Sequence, residues 1–466
     1  MKSSYIKRKG ALLVLVLIFG AMFFVMMAGF MGFVVTQSQV QERKYQQEQA
    51  REIAEAGLNY YKWFLAHYPD DVTNGTGLPG PYVMPYNDPE LGAIGEFSLS
   101  ISSSTYCGDV SSIEIESTGY TYKEPSLKRT IYARYARPTV AEYAYIINAN
   151  VWAGSSRTII GPYHSNGGIR MDGTNNSTVT SGQETWTCTA SFGCSPTQTV
   201  DGVFGSGPNS ALWNFPSPPI NFTGLTLDLA NMKTKAQAGV GGIFIGNSGD
   251  YGYRVDFQSD GTVDVYKVDE TWVHSEYSPT DGSYNYNARD LIKDDDFFAT
   301  YTIDPNCPLI FIEDKVWLEG EVNQKVTIAA AGDGGDWSMI LHNNITYTND
   351  SAGLLAAAER DVLVGYDVPD DMELNGIFVA QGGRFGRNYY WNSTNGGDRF
   401  RNSLTINGTI VSNGRVGTKW SCGGGVYCSG FDVRFNSYDR NLVDNPPPLA
   451  PHTSDDYKFV EWREMD

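Results

Sequence analysis

Cys188 and Cys194, and again Cys422 and Cys428, have five residues between them, a spacing that suits a disulfide stapling a short loop or hairpin. Zinc ligands usually have about two to four residues between them, and thiols in an oxidising exterior pair. We therefore expect two local disulfides, with unpaired thiols as the alternative. Cys107 and Cys307 are undetermined, and Cys307 in Asn306-Cys307-Pro308-Leu309-Ile310 equally fits a small buried strand residue. His67, His164, His274, His342 and His452 are scattered, with no HExxH, no GxSxG and no P-loop. His164, in Tyr163-His164-Ser165-Asn166-Gly167-Gly168, reads as a turn histidine capping a coil, since no base and nucleophile can be assembled around it. Asp294-Asp295-Asp296, Asp333/Asp336 and Asp367/Asp370/Asp371 offer carboxylates of the kind a glycosidase pairs. With 53 acidic residues in the chain, however, such clusters are expected on a solvated surface. Loop carboxylates at Gly332-Asp333-Gly334-Gly335-Asp336 or Asp250 suit Ca2+, a hard cation, but EF-hand spacing is missing and no other cofactor is implied. Trp186, Trp272, Trp391 and Trp420 can stack on sugars, although tryptophan in a β protein is more often half-buried packing. The expectation is a protein that is not an enzyme.

The elements that must position these residues begin with a basic cluster, Lys7-Arg8-Lys9-Gly10, running into an uncharged apolar stretch over 11–35. At ~1.5 Å per residue this stretch is about 37 Å long, enough to cross a ~30 Å hydrocarbon core with some tilt. The basic residues before it place the N-terminus in the cytoplasm and everything after Val35 outside. A cleaved secretory signal would have a shorter apolar region and a small-x-small site, and none precedes Gln37. A simple signal anchor fits the hydropathy but not the glycine directly after the basic cluster. From Gln37 the chain keeps strong helix formers and meets no proline before Pro69. Ile53, Ala54, Leu58, Tyr61, Leu65 and Tyr68 recur at helical spacing, so span and extension read as one rod of about 87 Å. Gly20, Gly29 and Gly32, with Ala28/Gly32 spaced small-xxx-small, suit close helix approach; the alternative is that glycine is simply commoner in membrane helices.

Arg8-Lys9-Gly10-Ala11-Leu12-Leu13-Val14, followed by Ala54-Glu55-Ala56-Gly57-Leu58, resembles the N-terminal segment of PilX-type minor pilins over about residues 7–66. The resemblance implies cleavage between Gly10 and Ala11 by a prepilin peptidase, N-methylation of Ala11, and packing of the helix among other pilins. Major pilins carry glutamate at the fifth mature position; this chain has Leu15 there, which points to a minor or tip component.

Past the helix, alternating runs at 96–103, 112–122 and 127–135 predict a small antiparallel sheet covered by the helix, a pilin-like α+β arrangement, after a loop over 74–89. Beyond Pro138 short β runs are punctuated by Asn-Gly and Gly-Gly. Leu374-Asn375-Gly376-Ile377-Phe378-Val379-Ala380-Gln381-Gly382 matches Ile406-Asn407-Gly408-Thr409-Ile410-Val411-Ser412-Asn413-Gly414 position for position. This predicts a mainly β ectodomain built as a right-handed parallel β-solenoid, with a β-sandwich as the alternative. Its texture also resembles the β-helical bodies of PilX-like surface proteins. The expected organisation is leader 1–10, transmembrane helix 11–35, amphipathic extension 36–68, pilin-like sheet 69–138, solenoid start 139–221, inserted β-rich excursion 222–305, and solenoid continuation with a tail 306–466. A formal net charge of −19 argues against nucleic-acid binding and against lying on anionic lipid. The chain thus reads as a bacterial membrane-anchored or pilus-tip subunit displaying a large head for adhesion or pilus assembly, with a surface glycan or a host or partner-cell ligand as its partner. The alternatives are an anchored β-helix carbohydrate-active enzyme and a pseudopilin of a secretion or DNA-uptake machine.

Overall fold

The computed structural model describes residues 11–68, 71–225, 227–239, 241–332, 337–391, 398–422, 426–454 and 456–465. The leader with Gly10, and the Asp333/Asp336 pair with its candidate calcium loop, lie outside the described residues. Two compact units emerge: Met1–Ser102 with Ile113–Tyr135 and Glu461–Asp466, and Ser103–Ser112 with Ala136–Val460.

The first unit is led by α1 (Ala11–His67), 57 residues without a break. No proline interrupts it, and Ala, Leu, Met, Gln and Glu dominate its length. Its first half exposes Leu12, Leu17, Phe24 and Val35, whereas Ala50, Ile53, Ala54, Leu58, Tyr61 and Leu65 are buried. Those buried positions cover a five-stranded sheet ordered β1 (Tyr82–Asp88), β2 (Gly92–Tyr106), β3 (Asp109–Thr121), β4 (Arg129–Ala136) and the C-terminal strand Lys458–Met465. Phe97, Leu99, Ile113, Ile115, Ile131 and Ala133 supply the sheet's side of the core. Helix and sheet meet at backbone distance: a Cβ on Gly119 would stand 2.2 Å from the Ala50 carbonyl oxygen, and one on Gly57 2.3 Å from Ser117 Oγ. The small residues of Ala54-Glu55-Ala56-Gly57 are thus explained by close approach. Two strands of this sheet escape sequence patterning. β1 falls within the expected loop and contains Pro85, which an edge strand tolerates because it needs no inward-facing N–H there. The C-terminal strand, with Lys458, Glu461, Arg463 and Glu464 among its eight residues, is too charged to announce itself.

In the second unit, parallel pairing dominates. One ladder runs Ile243–Ile245, Leu309–Ile312, Lys325–Ala330, Gly353–Ala358, Asp371–Ala380, Phe400–Ser412, Tyr145–Ile147, Tyr163–Ser165, Val179–Ser181 and Trp213–Asn214, every neighbour parallel. A second joins Gly252–Phe257, Val316–Val322, Met339–Tyr347, Val362–Val364 and Phe385–Gly386. A third continues from Asp371–Ala380 through Phe400–Ser412, Tyr427–Ser437 and Arg157–Ile160 to Thr174–Asn175. Leu318, Ile328, Leu341, Leu354, Leu374, Ile406 and Ile410 from these ladders share one apolar core. Antiparallel pairs are mixed in, chiefly the long hairpin formed by Thr262–Ser278 and Ser283–Thr302.

The order of the first ladder corrects the expected reading of 222–305. The chain enters at Tyr145–Ile147 in the middle of the ladder, proceeds to Trp213–Asn214 at one end, and resumes at Ile243–Ile245 at the other. The described residues of this connection, 215–225, 227–239 and 241–242, therefore form a strap along the ladder rather than the start of an excursion. The Ser217 N–H donates to the Ser181 carbonyl (2.8 Å), and Leu227 N–H donates to Gln381 Oε1 (3.1 Å). Phe222, Leu225, Leu227 and, from α2 (Leu229–Gln237), Met232 and Ala236 cover the outward-facing Ile146, Phe311, Ala329, Leu355, Ile377 and Val411. Asp228 caps α2 by accepting from Asn231 N–H. Ile243–Ile245 and Gly252–Phe257 belong to the ladders, so the excursion shrinks to the hairpin.

All six cysteines are paired. Cys188–Cys194 and Cys422–Cys428 are local, and the undetermined two join each other as Cys107–Cys307 across a sequence separation of 200.

Candidate functional site

Sequence-selected assembly residues all sit on α1. Ala11 is its first residue, Leu15 is 55% exposed, Ala28 is exposed, and a Cβ added to Gly20, Gly29 or Gly32 would meet nothing within 4 Å. Within this chain, then, nothing demands glycine at those positions. By length and composition this helix is long and apolar enough to cross a membrane.

His164 and the carboxylates of Asp250, Asp295, Asp367 and Asp370 are occupied structurally. His164 lies in a strand rather than a turn, 3% exposed, with Nδ1 2.8 Å from Thr180 Oγ1 and Nε2 2.9 Å from Asn166 Oδ1. Burial holds its pKa below the usual imidazole value, and neither nitrogen meets an acid. Asp295 binds Arg254 at 2.6 Å, Asp367 and Asp370 both face Arg401, and Asp250 holds Lys267 at 2.7 Å. Trp186 is buried against the Cys188–Cys194 disulfide with Phe192 and Phe204, and Trp272 carries Lys293 over its ring.

The hairpin gathers what spacing alone does not. Its inner side buries His274, Glu276, Ala288 and Leu291, and its edge pairs antiparallel with Tyr389–Tyr390. Donor atoms of His274, Glu276 and Asp290 lie within 4.8 Å of one another, the one such trio of metal-ligand types among the described residues. His274 stacks on Tyr366 at 5.2 Å, and its Nε2 is 3.6 Å from Glu276 Oε2. The cation beside these acids is Lys315, whose Nζ is 2.7 Å from Asp290 Oδ1, while the Asp290 carbonyl accepts from Trp317 Nε1 at 2.8 Å. Burial pushes the Asp290 carboxyl up, yet the adjacent Lys315 ammonium outweighs it and holds Asp290 below the usual range. Burial likewise pulls Lys315 down, and Asp290 more than restores it. The donor set would take a divalent cation chemically, but the ammonium already supplies the positive charge.

At the hairpin's tip the rings close a circuit. Tyr277 and Tyr284 stand 5.0 Å apart, Tyr284 and Trp391 5.4 Å, Tyr389 and Trp391 6.1 Å, Tyr389 and Trp420 5.5 Å, and Tyr277 and Trp420 6.0 Å. Tyr286 adds a sixth ring 5.9 Å from Trp391. Tyr284 is 57% and Tyr286 64% exposed, so the circuit opens to solvent. Trp420 is fixed from behind by its Nε1 donating to the Arg387 carbonyl at 3.0 Å, and the Cys422–Cys428 staple closes the strand next to it. Of the four tryptophans chosen from sequence, the structure joins Trp391 and Trp420 and separates Trp186 and Trp272. The tyrosines were missed because they arrive from different segments.

No protein-family model matches the chain, and no curated protein matches it. Among solved structures it is similar to the competence-associated pilin ComZ from Thermus thermophilus, with 14% identity, coverage of 90% of this chain and 97% of that chain, and a TM-score of 0.27. At that TM-score the likeness carries no argument.

Proposed function

We propose that this chain is a type IV pilin-like minor subunit of PilX type, which enters a membrane or pilus-like filament by α1 and displays the second unit as an extracellular head. The observation that carries this reading is α1 itself: one unbroken 57-residue helix, apolar and exposed in its first half and docked on an antiparallel sheet in its second. The Gly10–Ala11 junction after Lys7-Arg8-Lys9, and the glycines of α1 that this chain's own packing does not require, support it. In this reading the parallel ladders of the second unit form a right-handed β-solenoid, a rigid carrier for the hairpin. Processing is the decisive test. Membrane-derived protein should begin at a free, methylated Ala11, and Gly10→Leu should retain the leader, adding the mass of ten residues to the mature chain. A native N-terminus at Met1 would reduce the protein to an ordinary tethered one.

The aromatic circuit supports adhesion to a neutral glycan. Its tyrosines and tryptophans combine flat apolar faces with polar edges, the chemistry that meets the C–H faces and hydroxyls of a sugar. The chain's net charge of −19 repels anionic polymers. Full-length protein in detergent should sediment with insoluble cellulose or chitin, and Tyr284→Ala with Trp391→Ala should weaken this at least about tenfold, roughly 1.4 kcal/mol. Trp272→Ala, outside the circuit, should not. Equal binding by wild type and the double variant would remove the circuit from the adhesion reading.

A further inference from the structure

We propose that Arg157 and Arg434 hold a small inorganic anion, chloride by size, inside the parallel ladders of the second unit. The two residues are direct partners in the third ladder. Arg157 shares the inward side of its strand with Ile159, and Arg434 shares that of its own with Asn436. In register with Arg434 and Asn436 on the next strand stand Leu404 and Ile406, both members of the apolar core. Arg157 is 3% and Arg434 7% exposed, so both guanidiniums lie where the rest of the column is hydrocarbon.

Guanidinium stays protonated in proteins, so this interior carries two positive charges. Among the described residues no carboxylate pairs with either. Asp432, two residues before Arg434, is 58% exposed and bonded to Lys419. What the pair does meet is neutral: Arg434 Nη2 donates to Ser156 Oγ at 2.6 Å, and Arg157 lies 5.6 Å from the centre of the buried Tyr145 ring, itself 4.9 Å from Tyr163. Arg157 Nε and Nη1, Arg434 Nε and the Tyr163 hydroxyl are all buried without a hydrogen-bond partner, four donor groups against one such acceptor on the same strand face, Asn436 Oδ1. Burial, with Arg157 adding to it, pulls Arg434 down to about 9, the mark of a cation lacking its counter-charge.

A buried charge is tolerated when it is paired and hydrogen-bonded. One spherical anion among these N–H and O–H donors supplies both at once. Chloride is the simplest occupant, a single spherical acceptor with no substituent, where phosphate or a carboxylate would bring several oxygens and a group attached to them.

The test is thermal unfolding of the full-length protein in detergent, with chloride exchanged for gluconate at constant ionic strength. The midpoint of the second unit should climb with the logarithm of chloride concentration. Arg434→Met should flatten that climb. Tyr163→Phe, which keeps the ring and removes one donor, should shift it to higher chloride, and serves if the arginine variant fails to fold. Crystals grown in bromide should show an anomalous peak between the two guanidiniums. A chloride-independent midpoint in wild type, or a bromide map with only water-like density there, would overturn the proposal.

Discussion

Gly408→Val should abolish cooperative folding of the second unit, costing more than about 4 kcal/mol and leaving little full-length protein in soluble or membrane fractions. Gly408 has φ +142°, a region that L side chains avoid at a cost of about 1–3 kcal/mol. Its partner in the adjacent strand is Gly376, with φ +151°. A Cβ at 408 would stand 1.9 Å from the Gly376 carbonyl oxygen, a backbone atom that cannot step aside without parting the strands. Valine would therefore be opposed by conformation and by contact together. Gly246→Ala is the matched control, because a Cβ there meets nothing within 4 Å and φ is not positive; it should change stability by less than about 0.5 kcal/mol. Urea unfolding of the two variants side by side decides the matter, and a Gly408→Val protein as stable as Gly246→Ala would refute it.

That glycine pair also shows what sequence can carry. The repeat found by matching Leu374–Gly382 to Ile406–Gly414 is a structural register: Leu374 pairs Ile406, Gly376 pairs Gly408, and Val379 pairs Val411. A repeat of this kind is legible because stacked strands place the same demand on the same position, apolar inside and glycine where the backbones close. The helix was legible for a similar reason, since a long run of helix formers has one local solution. The course of the strap leading into α2 was not. Phe222, Leu225 and Leu227 have no period, and their partners Ile377 and Val379 are distant in sequence, so their apolar character only makes sense once the ladder order is known. The ionic cluster under the hairpin was illegible for the opposite reason. His274, Glu276 and Asp290 come together through a hairpin whose register shifts between Trp272 and His274 and again between His274 and Glu276, and bulges of this kind move side chains between faces. Lys315, which neutralises them, belongs to another segment altogether.

Lys315→Met should cost about 3–5 kcal/mol at pH 7, because it removes one partner and leaves Asp290 charged in a site where its side chain is only 13% exposed. The sign of the pH dependence follows from both partners. Asp290 is held below its unfolded value, so its contribution is present above pH ~3.9 and is lost as pH falls through the folded pKa. Lys315 is raised, so its contribution is present below pH ~10.4 and is lost as pH climbs through its folded value. In the variant, burial without the ammonium raises Asp290 instead, and protonation relieves the penalty as the solution is acidified. The gap between wild type and variant should accordingly be widest near neutrality and narrow toward acid. Lys315→Met combined with Asp290→Leu should recover part of the loss, since it removes the stranded Asp290 charge while the buried Glu276 still lacks the ammonium. The single variant has a second consequence: His274, Glu276 and Asp290 then face one another without the ammonium, so Zn2+ should raise its unfolding midpoint and leave that of wild type unchanged. A wild-type midpoint that rises with Zn2+ would mean that the trio binds metal beside Lys315, and a pH-independent gap would mean that Lys315 stabilises the hairpin by packing its stem rather than by its charge.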